Sequence, residues 1–304
     1  MSELQWLTEQ LTGRNRHQFA VRLFRIGLYA FLLVNTLLLL PIAPQIWSPE
    51  GFMLPQSNWD SPIFALLNLL ANPGFENLWP WFIAGQIAFL LLGLWGQWPR
   101  LAAIGIWFFS ANLIHRGTEL SNGGYHMLSL FLFYQLFISS REVKKDTFWG
   151  GLTNLCSNLG MWAIRLQVVA LYATAGLYKL IGTDWISGDA MGKVLQVPFF
   201  THPIAMDYLV PMEGAMKLAS WLVLAFQVSF PLLVWFRKLR PWVLGAGTFF
   251  HLSIVFVVGL ADFGLVMLVS YLAFHSEASA AYWGAKLTFG RWSLRPKLGQ
   301  SESR

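Results

Sequence analysis

Apolar residues gather into eight runs, roughly 22–42, 79–97, 100–116, 123–139, 160–182, 216–236, 241–259 and 262–275. All exceed the length of a typical buried strand, and most approach the ~20 residues that cross a bilayer as a helix. A further stretch, SPIFALLNLLAN at 61–72, is apolar but short, bounded by Pro62 and the Asn72-Pro73-Gly74 turn. It is expected as an interfacial or re-entrant helix. Two connections are long, 43–78 and 183–215, and long ordered loops usually carry function. The pattern contains no internal repeat, low-complexity tract or soluble second domain. The expected fold class is all-α, a polytopic transmembrane helix bundle of about eight spans. The spans occupy 21–275, after an amphipathic N-terminal segment at 1–20 and before a basic tail at 276–304.

Composition agrees with this pattern. Hydrophobic residues make up 56% of the chain and charged residues 12%, against about 25% charged in a soluble domain. Mean hydropathy is +0.50, and the 16 Trp suit the aromatic belts of membrane interfaces. The opening MSELQWLTEQLTGRNRH lacks the order of a cleavable signal peptide. Cys156 is the sole cysteine, which excludes an intrachain disulfide and Cys-cluster metal chemistry.

Charge sets an orientation. With the N-terminus in the cytoplasm, 17 Lys and Arg fall inside and 3 (Arg116, Lys193, Lys217) outside, leaving Lys179 within a run. That asymmetry predicts an even number of spans with both termini cytoplasmic. The net charge of +6 then belongs to cytoplasmic loops facing membrane lipid, and no nucleic-acid partner is expected. Arg22 and Arg25 read as cytoplasmic anchors of the first span.

Ionisable residues inside spans are costly and are candidates by default. Lys179 lies about one turn from the outer end of its run, followed by Asp184 and Trp185. One reading is a snorkelling side chain paired with Asp184. The other is an amine facing a dry cavity, where weakened hydration of the ammonium favours the free base. Tyr172 shares its helix face, and Ala175 and Gly176 leave room for a flat ligand or a close helix. His251, mid-run in GTFFHLSIVF, reads as a hydrogen-bonded core residue or a functional one. His115, Arg116, Glu119 and His126 cluster between the third and fourth runs. They read as an interfacial salt-bridge group, Arg116 with Glu119, or as an outward-facing polar pocket for an anionic or carbonyl group. His115, His126 and His251 lack tight metal spacing, so no metal is expected. No P-loop, dinucleotide fingerprint or nucleophile elbow is present.

The segment AGLYKLIGTDWISGDAM resembles the Ala-Gly-x-x-Lys-Leu…Asp-Trp-x-x-Gly…Met segment of vitamin K-dependent gamma-carboxylase and its bacterial relatives, which share the HTTM domain. RLFRIGLYAFLL, SPEGFML, LGLWGQWPRLAAIGIWFF, NGGYHMLSLFLFYQLF and FFHLSIVFVVGLADFGLVMLVSYLAF resemble other parts of that family, so the likeness spans about 20–275. It implies a site on the outer side of a bacterial plasma membrane. Its cofactor would be reduced vitamin K or menaquinol, used with O2 and CO2. In the carboxylase the lysine is taken as the base that deprotonates reduced vitamin K. Reaction with O2 then gives an alkoxide strong enough to remove a glutamate γ-proton, and CO2 is taken up. By resemblance Lys179 is that base and His251 a hydrogen-bond donor to the quinone oxygen. No counterpart of the family's lumenal substrate-recognition region is expected here, and Tyr125 stands where many bacterial members are acidic. The resemblance therefore implies the membrane scaffold and quinol site without the peptide-docking apparatus. A second expectation is a non-enzymatic factor for maturation, export or immunity of a secreted peptide, held by the outer pocket. A transporter is disfavoured because paired broken helices at repeat positions are missing.

Overall fold

A computed structural model of the chain describes residues 11–13, 17–51, 66–72, 74–117, 122–139, 147–198 and 201–275. Most of these residues are helical, and no strand occurs among them. Five helical stretches are long and apolar enough to cross a membrane: Gln18–Trp47, Glu76–Trp95, Phe148–Ile181, Glu213–Leu233 and Arg240–Val258. The protein is an all-helical integral membrane protein. The other expected spans form helices too, but Gly123–Gln135 has 13 residues, Ala261–Phe274 is short, and Pro99–Arg116 carries Ser110, Asn112, His115 and Arg116. The N-terminal segment at 1–10 and the tail at 276–304 lie outside the described residues. The chain divides into two compact units, 1–163 with 272–304, and 164–271.

In the first unit, α1 (Gln18–Leu39) buries Val21, Phe24, Leu28 and Leu32 along one face. It packs against α3 (Trp79–Trp95), which pairs with α4 (Pro99–Arg116), which in turn meets α5 (Gly123–Gln135). Arg25 is not an exposed anchor: it is buried at 1% exposure. Its Nε donates to Gln135 Oε1 at 2.7 Å, and its guanidinium also reaches the carbonyls of Gln135 at 3.2 Å and Ile138 at 2.7 Å. The last carbonyls of a helix have no partner within it, and a cation there also opposes the negative end of the helix dipole. Arg25 therefore caps α5, which explains a buried guanidinium in an apolar bundle.

The far end of α4 fixes two irregular segments. Asn112, fully buried, accepts from the Leu69 amide at 2.6 Å and donates to the carbonyls of Leu66 and Phe108. Trp47 Nε1, from the short helix α2 (Ala43–Trp47), donates to Leu113 O at 2.9 Å. Ala43, Ile46, Trp47, Leu70, Phe82, Ile83 and Leu113 close the apolar core there. The described part of the expected 61–72 helix is helical at 66–67 and continues into a 3-10 element at Leu69–Ala71, packed beside α4. Asn112→Ala removes all three bonds and should cost about 2–3 kcal/mol, the penalty of a buried amide and carbonyls left unpaired. Thermal unfolding in detergent measures it; an unchanged midpoint would mean water satisfies these groups.

Helix α6 (Phe148–Ile181) has 34 residues, where the expected span began only at 160. Its first turns carry buried Asn154, Ser157 and Asn158, which made 148–159 look unlike a span. Those side chains face protein instead. Asn154 and Asn158 donate to Thr12 O and Leu11 O, and Ser157 Oγ accepts from the Ser139 amide.

The second unit contains the end of α6 and the expected long loop, which holds three short helices: α7 (Thr183–Ser187), α8 (Ala190–Leu195) and α9 (Pro203–Leu209). Next come α10 (Glu213–Leu233) and α11 (Arg240–Ser253), which runs into a π-helical turn at Ile254–Val258. Gly259, at φ 80°, ends that turn before α12 (Ala261–Ser270). A left-handed residue without a Cβ penalty is what such a reversal requires. Ser220 and Trp221 of α10 pin the loop: Ser220 Oγ donates to Gly188 O and accepts from the Met191 amide, and Trp221 Nε1 donates to Ile186 O.

Candidate functional site

Tyr172, Gly176 and Lys179 follow one another at i, i+4 and i+7 on α6, the spacing of one helix face. Gly176 is a contact point, not an open space. A Cβ there would lie 3.1 Å from Gln227 C and Val228 N, so its lack of a side chain lets the α10 backbone approach. Of the two uses expected for that small residue, the close helix is the one realised.

Lys179 is half-buried. Its Nζ lies 4.8 Å from the centroid of the Trp185 ring, within the range of a cation–π contact. The turn at Gly182 makes this possible: Gly182 N bonds to Lys179 O, Trp185 N bonds to Gly182 O, and a Cβ on Gly182 would press on the indole at 3.2 Å. The chain thus folds back so that Trp185 covers the ammonium. The expected pairing of Lys179 with Asp184 is corrected here. Asp184 instead bonds Lys193 Nζ at 2.6 Å in an exposed pair, which pushes the Lys193 ammonium above its ordinary pKa through that hydrogen bond. Asp189, one turn before Lys193, is bound to Ser187 Oγ. Among the described residues no carboxylate forms an ion pair with Lys179.

About 10 Å along the helix from Lys179, as seven residues at 1.5 Å each, Tyr172 enters a buried polar network. Its hydroxyl bonds His251 Nε2 at 2.5 Å and the Tyr271 hydroxyl at 2.5 Å. All three side chains are at most 4% exposed. Aromatic rings seal the network: Phe230 lies 4.1 Å and Phe226 5.3 Å from the Tyr172 ring, and Phe250 and Phe263 flank His251. Two glycines permit this packing. A Cβ on Gly247 would collide with the Tyr271 hydroxyl, and one on Gly264 would meet His251 O at 2.8 Å. The π-helical turn begins three residues after His251, and such turns are frequent at functional sites. Among the described residues of this unit, the buried side-chain atoms His251 Nδ1 and Gln227 Oε1 have no hydrogen-bond partner. A buried polar atom without a protein partner is a place where water or a ligand can bond.

The remaining candidates lie in the first unit. His115 Nδ1 is 3.0 Å from Leu67 O, and Arg116 donates to the carbonyls of Trp47 and Ser48. Both side chains therefore hold backbone in place. His126 is exposed on α5. Glu119 lies outside the described residues. Among the described residues no three His, Cys, Asp or Glu side chains gather as a metal site. The same unit also has a partly open pocket of about 30 Å³ lined in part by Asn35, Thr36, Gln86, Ser110 and Tyr125, with Asn35 Nδ2 donating to the Tyr125 hydroxyl at 3.0 Å and Gln86 Nε2 to Ser110 Oγ at 3.3 Å.

Sequence reasoning missed Tyr271. Its run, VSYLAF, reads as uniformly apolar, and only the glycines at 247 and 264 hint at close packing there. Lys179, Trp185, Tyr172, His251 and Tyr271 are brought into one compact unit of the protein. No curated protein and no solved structure matches the chain. The HTTM domain matches residues 56–278, a stretch that includes all five of these side chains, and the chain is a member of the HTTM-domain family.

Proposed function

We propose that the protein is a membrane enzyme related to vitamin K-dependent gamma-carboxylase, using a reduced quinone with Lys179 as base and His251 as hydrogen-bond donor. The proposed topology has eight spans, both termini in the cytoplasm and the site facing the outer side of a bacterial plasma membrane. The observation that carries this reading is the setting of Lys179, an amine on a membrane helix covered by an indole, with no carboxylate partner among the described residues. A lysine serving only as an interfacial anchor would pair with Asp184 or extend into water. The residues present suit a flat, neutral ring bearing two oxygens. The amine can take a proton, and the unpartnered His251 Nδ1 can meet an oxygen.

A reduced quinone, once deprotonated and exposed to O2, supplies a base strong enough to remove a carbon-bound proton next to which CO2 can add. This chain's own residues would do the rest. Lys179 accepts the first proton, Trp185 shields the amine from water, and the phenyl and phenol rings around His251 keep the interior dry. The experiment is oxygen uptake by purified protein in lipid with reduced menaquinone. Quinol-dependent uptake that falls about 10-fold or more in His251→Ala supports the reading, a threshold set below the ~10²–10³-fold that one oxyanion-hole donor contributes. No uptake, together with retention of an acidic secreted peptide by the same preparation, would replace it with a peptide-maturation, export or immunity factor.

A further inference from the structure

The proton arrangement of the buried Tyr172–His251–Tyr271 network can be worked out from its partners. A neutral imidazole donates from one ring nitrogen and accepts at the other, and a phenol donates one proton. Three neutral arrangements satisfy the observed bonds. In the first, the Tyr271 hydroxyl donates to Tyr172, the Tyr172 hydroxyl donates to His251 Nε2, and the imidazole proton sits on Nδ1. Every hydroxyl proton then has an acceptor, and Nδ1–H alone lacks one. In the second, Nε2–H donates to Tyr172 and Tyr172 donates to Tyr271. That leaves the Tyr271 proton without an acceptor and Nδ1 without a donor. In the third, Nε2–H and the Tyr271 hydroxyl both donate to Tyr172, which leaves the Tyr172 proton without an acceptor and Nδ1 without a donor. These groups are buried, and unsatisfied buried polar groups are unfavourable. The first arrangement leaves one such group and each of the others leaves two, so the first is preferred.

We propose that Tyr271 and Tyr172 are positioning residues that hold His251 as its Nδ1–H tautomer, so that a hydrogen-bond donor faces the oxygen of a neutral carbonyl or hydroxyl ligand. The π-helical turn after His251 and the bare faces of Gly247 and Gly264 hold the ring and the Tyr271 hydroxyl in register. This deepens the role proposed for His251 and rests on it for the ligand, but not for the tautomer. Tyr271 acts through Tyr172, and neither needs to touch the ligand.

The test is solid-state NMR of the full chain, 15N-labelled at histidine, in lipid bilayers. The His251 signals among the 6 histidines are assigned by their loss in His251→Gln. The expected wild-type spectrum has a protonated Nδ1 and a bare Nε2. Tyr172→Phe should move most of the population to Nε2–H, and Tyr271→Phe should move a smaller part. The other histidine signals stay in place in both variants, which reports an intact fold. A wild-type His251 that is Nε2–H or doubly protonated overturns the proposal even if a variant fails to fold. A wild-type tautomer unchanged by Tyr172→Phe overturns it as well. Because no quinone is added, absence of quinol oxidation would defeat the proposed function without touching this result, and the converse also holds.

Discussion

Lys179→Ala should lower quinol-dependent oxygen uptake at least ~100-fold, and Lys179→Arg should restore none of it, since positioned general bases typically contribute 10²–10⁴-fold. The pair separates charge from basicity. A guanidinium keeps the positive charge and stacks on Trp185 at least as well as an ammonium, so the Arg variant preserves the contact between residue 179 and Trp185. It cannot lose its proton near neutral pH and therefore cannot act as a base. Both variants should remain monodisperse in detergent, because Lys179 makes no ion pair among the described residues whose loss would orphan a carboxylate. Uptake in Lys179→Arg within a few-fold of wild type would leave Lys179 as a cationic binding group for an acidic ligand and would end the base assignment.

Arg25→Ala should be the most destabilising single substitution considered for the first unit, lowering stability by roughly 3–5 kcal/mol: buried acceptors left unpaired cost ~1–3 kcal/mol each, partly offset because a charge is no longer buried. The guanidinium serves three acceptors at one helix end: Gln135 Oε1, Gln135 O and Ile138 O. Removing it leaves those acceptors buried and takes a large, fully buried side chain out of the bundle. Arg25→Lys should recover little, because a point-like ammonium cannot match the guanidinium's planar spread of donors. Thermal unfolding of the two variants in the same detergent measures both effects. A midpoint within a degree or two of wild type in Arg25→Ala would show that the end of α5 frays to water at no cost and that Arg25 does not cap it.

The membrane helices were legible because hydropathy is a local property. Runs such as RIGLYAFLLVNTLLLL and VVALYATAGLYKLI have no polar face large enough for water, and a segment that cannot face water must pair its own amides as a helix in lipid. The same locality misplaced some boundaries. Asn154, Ser157 and Asn158 look like solvent-facing residues in sequence, yet their partners are the carbonyls of Leu11 and Thr12 and the amide of Ser139. No local signal announces the bonds to Leu11 and Thr12, more than a hundred positions away. Arg25 misled for the same reason, since an arginine at a span's edge looks identical whether it meets lipid phosphate or the end of another helix.

Lys179, Tyr172 and His251 stood out in the sequence because ionisable and polar groups at membrane depth are rare. Their neighbours did not. That Trp185 rather than Asp184 accompanies Lys179 depends on how the chain reverses at Gly182. That Tyr271 completes the network with Tyr172, 99 residues apart, depends on Gly247 and Gly264 letting the two late helices close on each other. The sequence by itself determined that this chain is helical and embedded in a membrane, because those properties follow from the solvent each segment can tolerate. Which polar groups meet inside, and which nitrogen of His251 bonds Tyr172, was decided by tertiary structure alone, because a buried hydrogen bond exists only where packing brings donor and acceptor within about 3 Å.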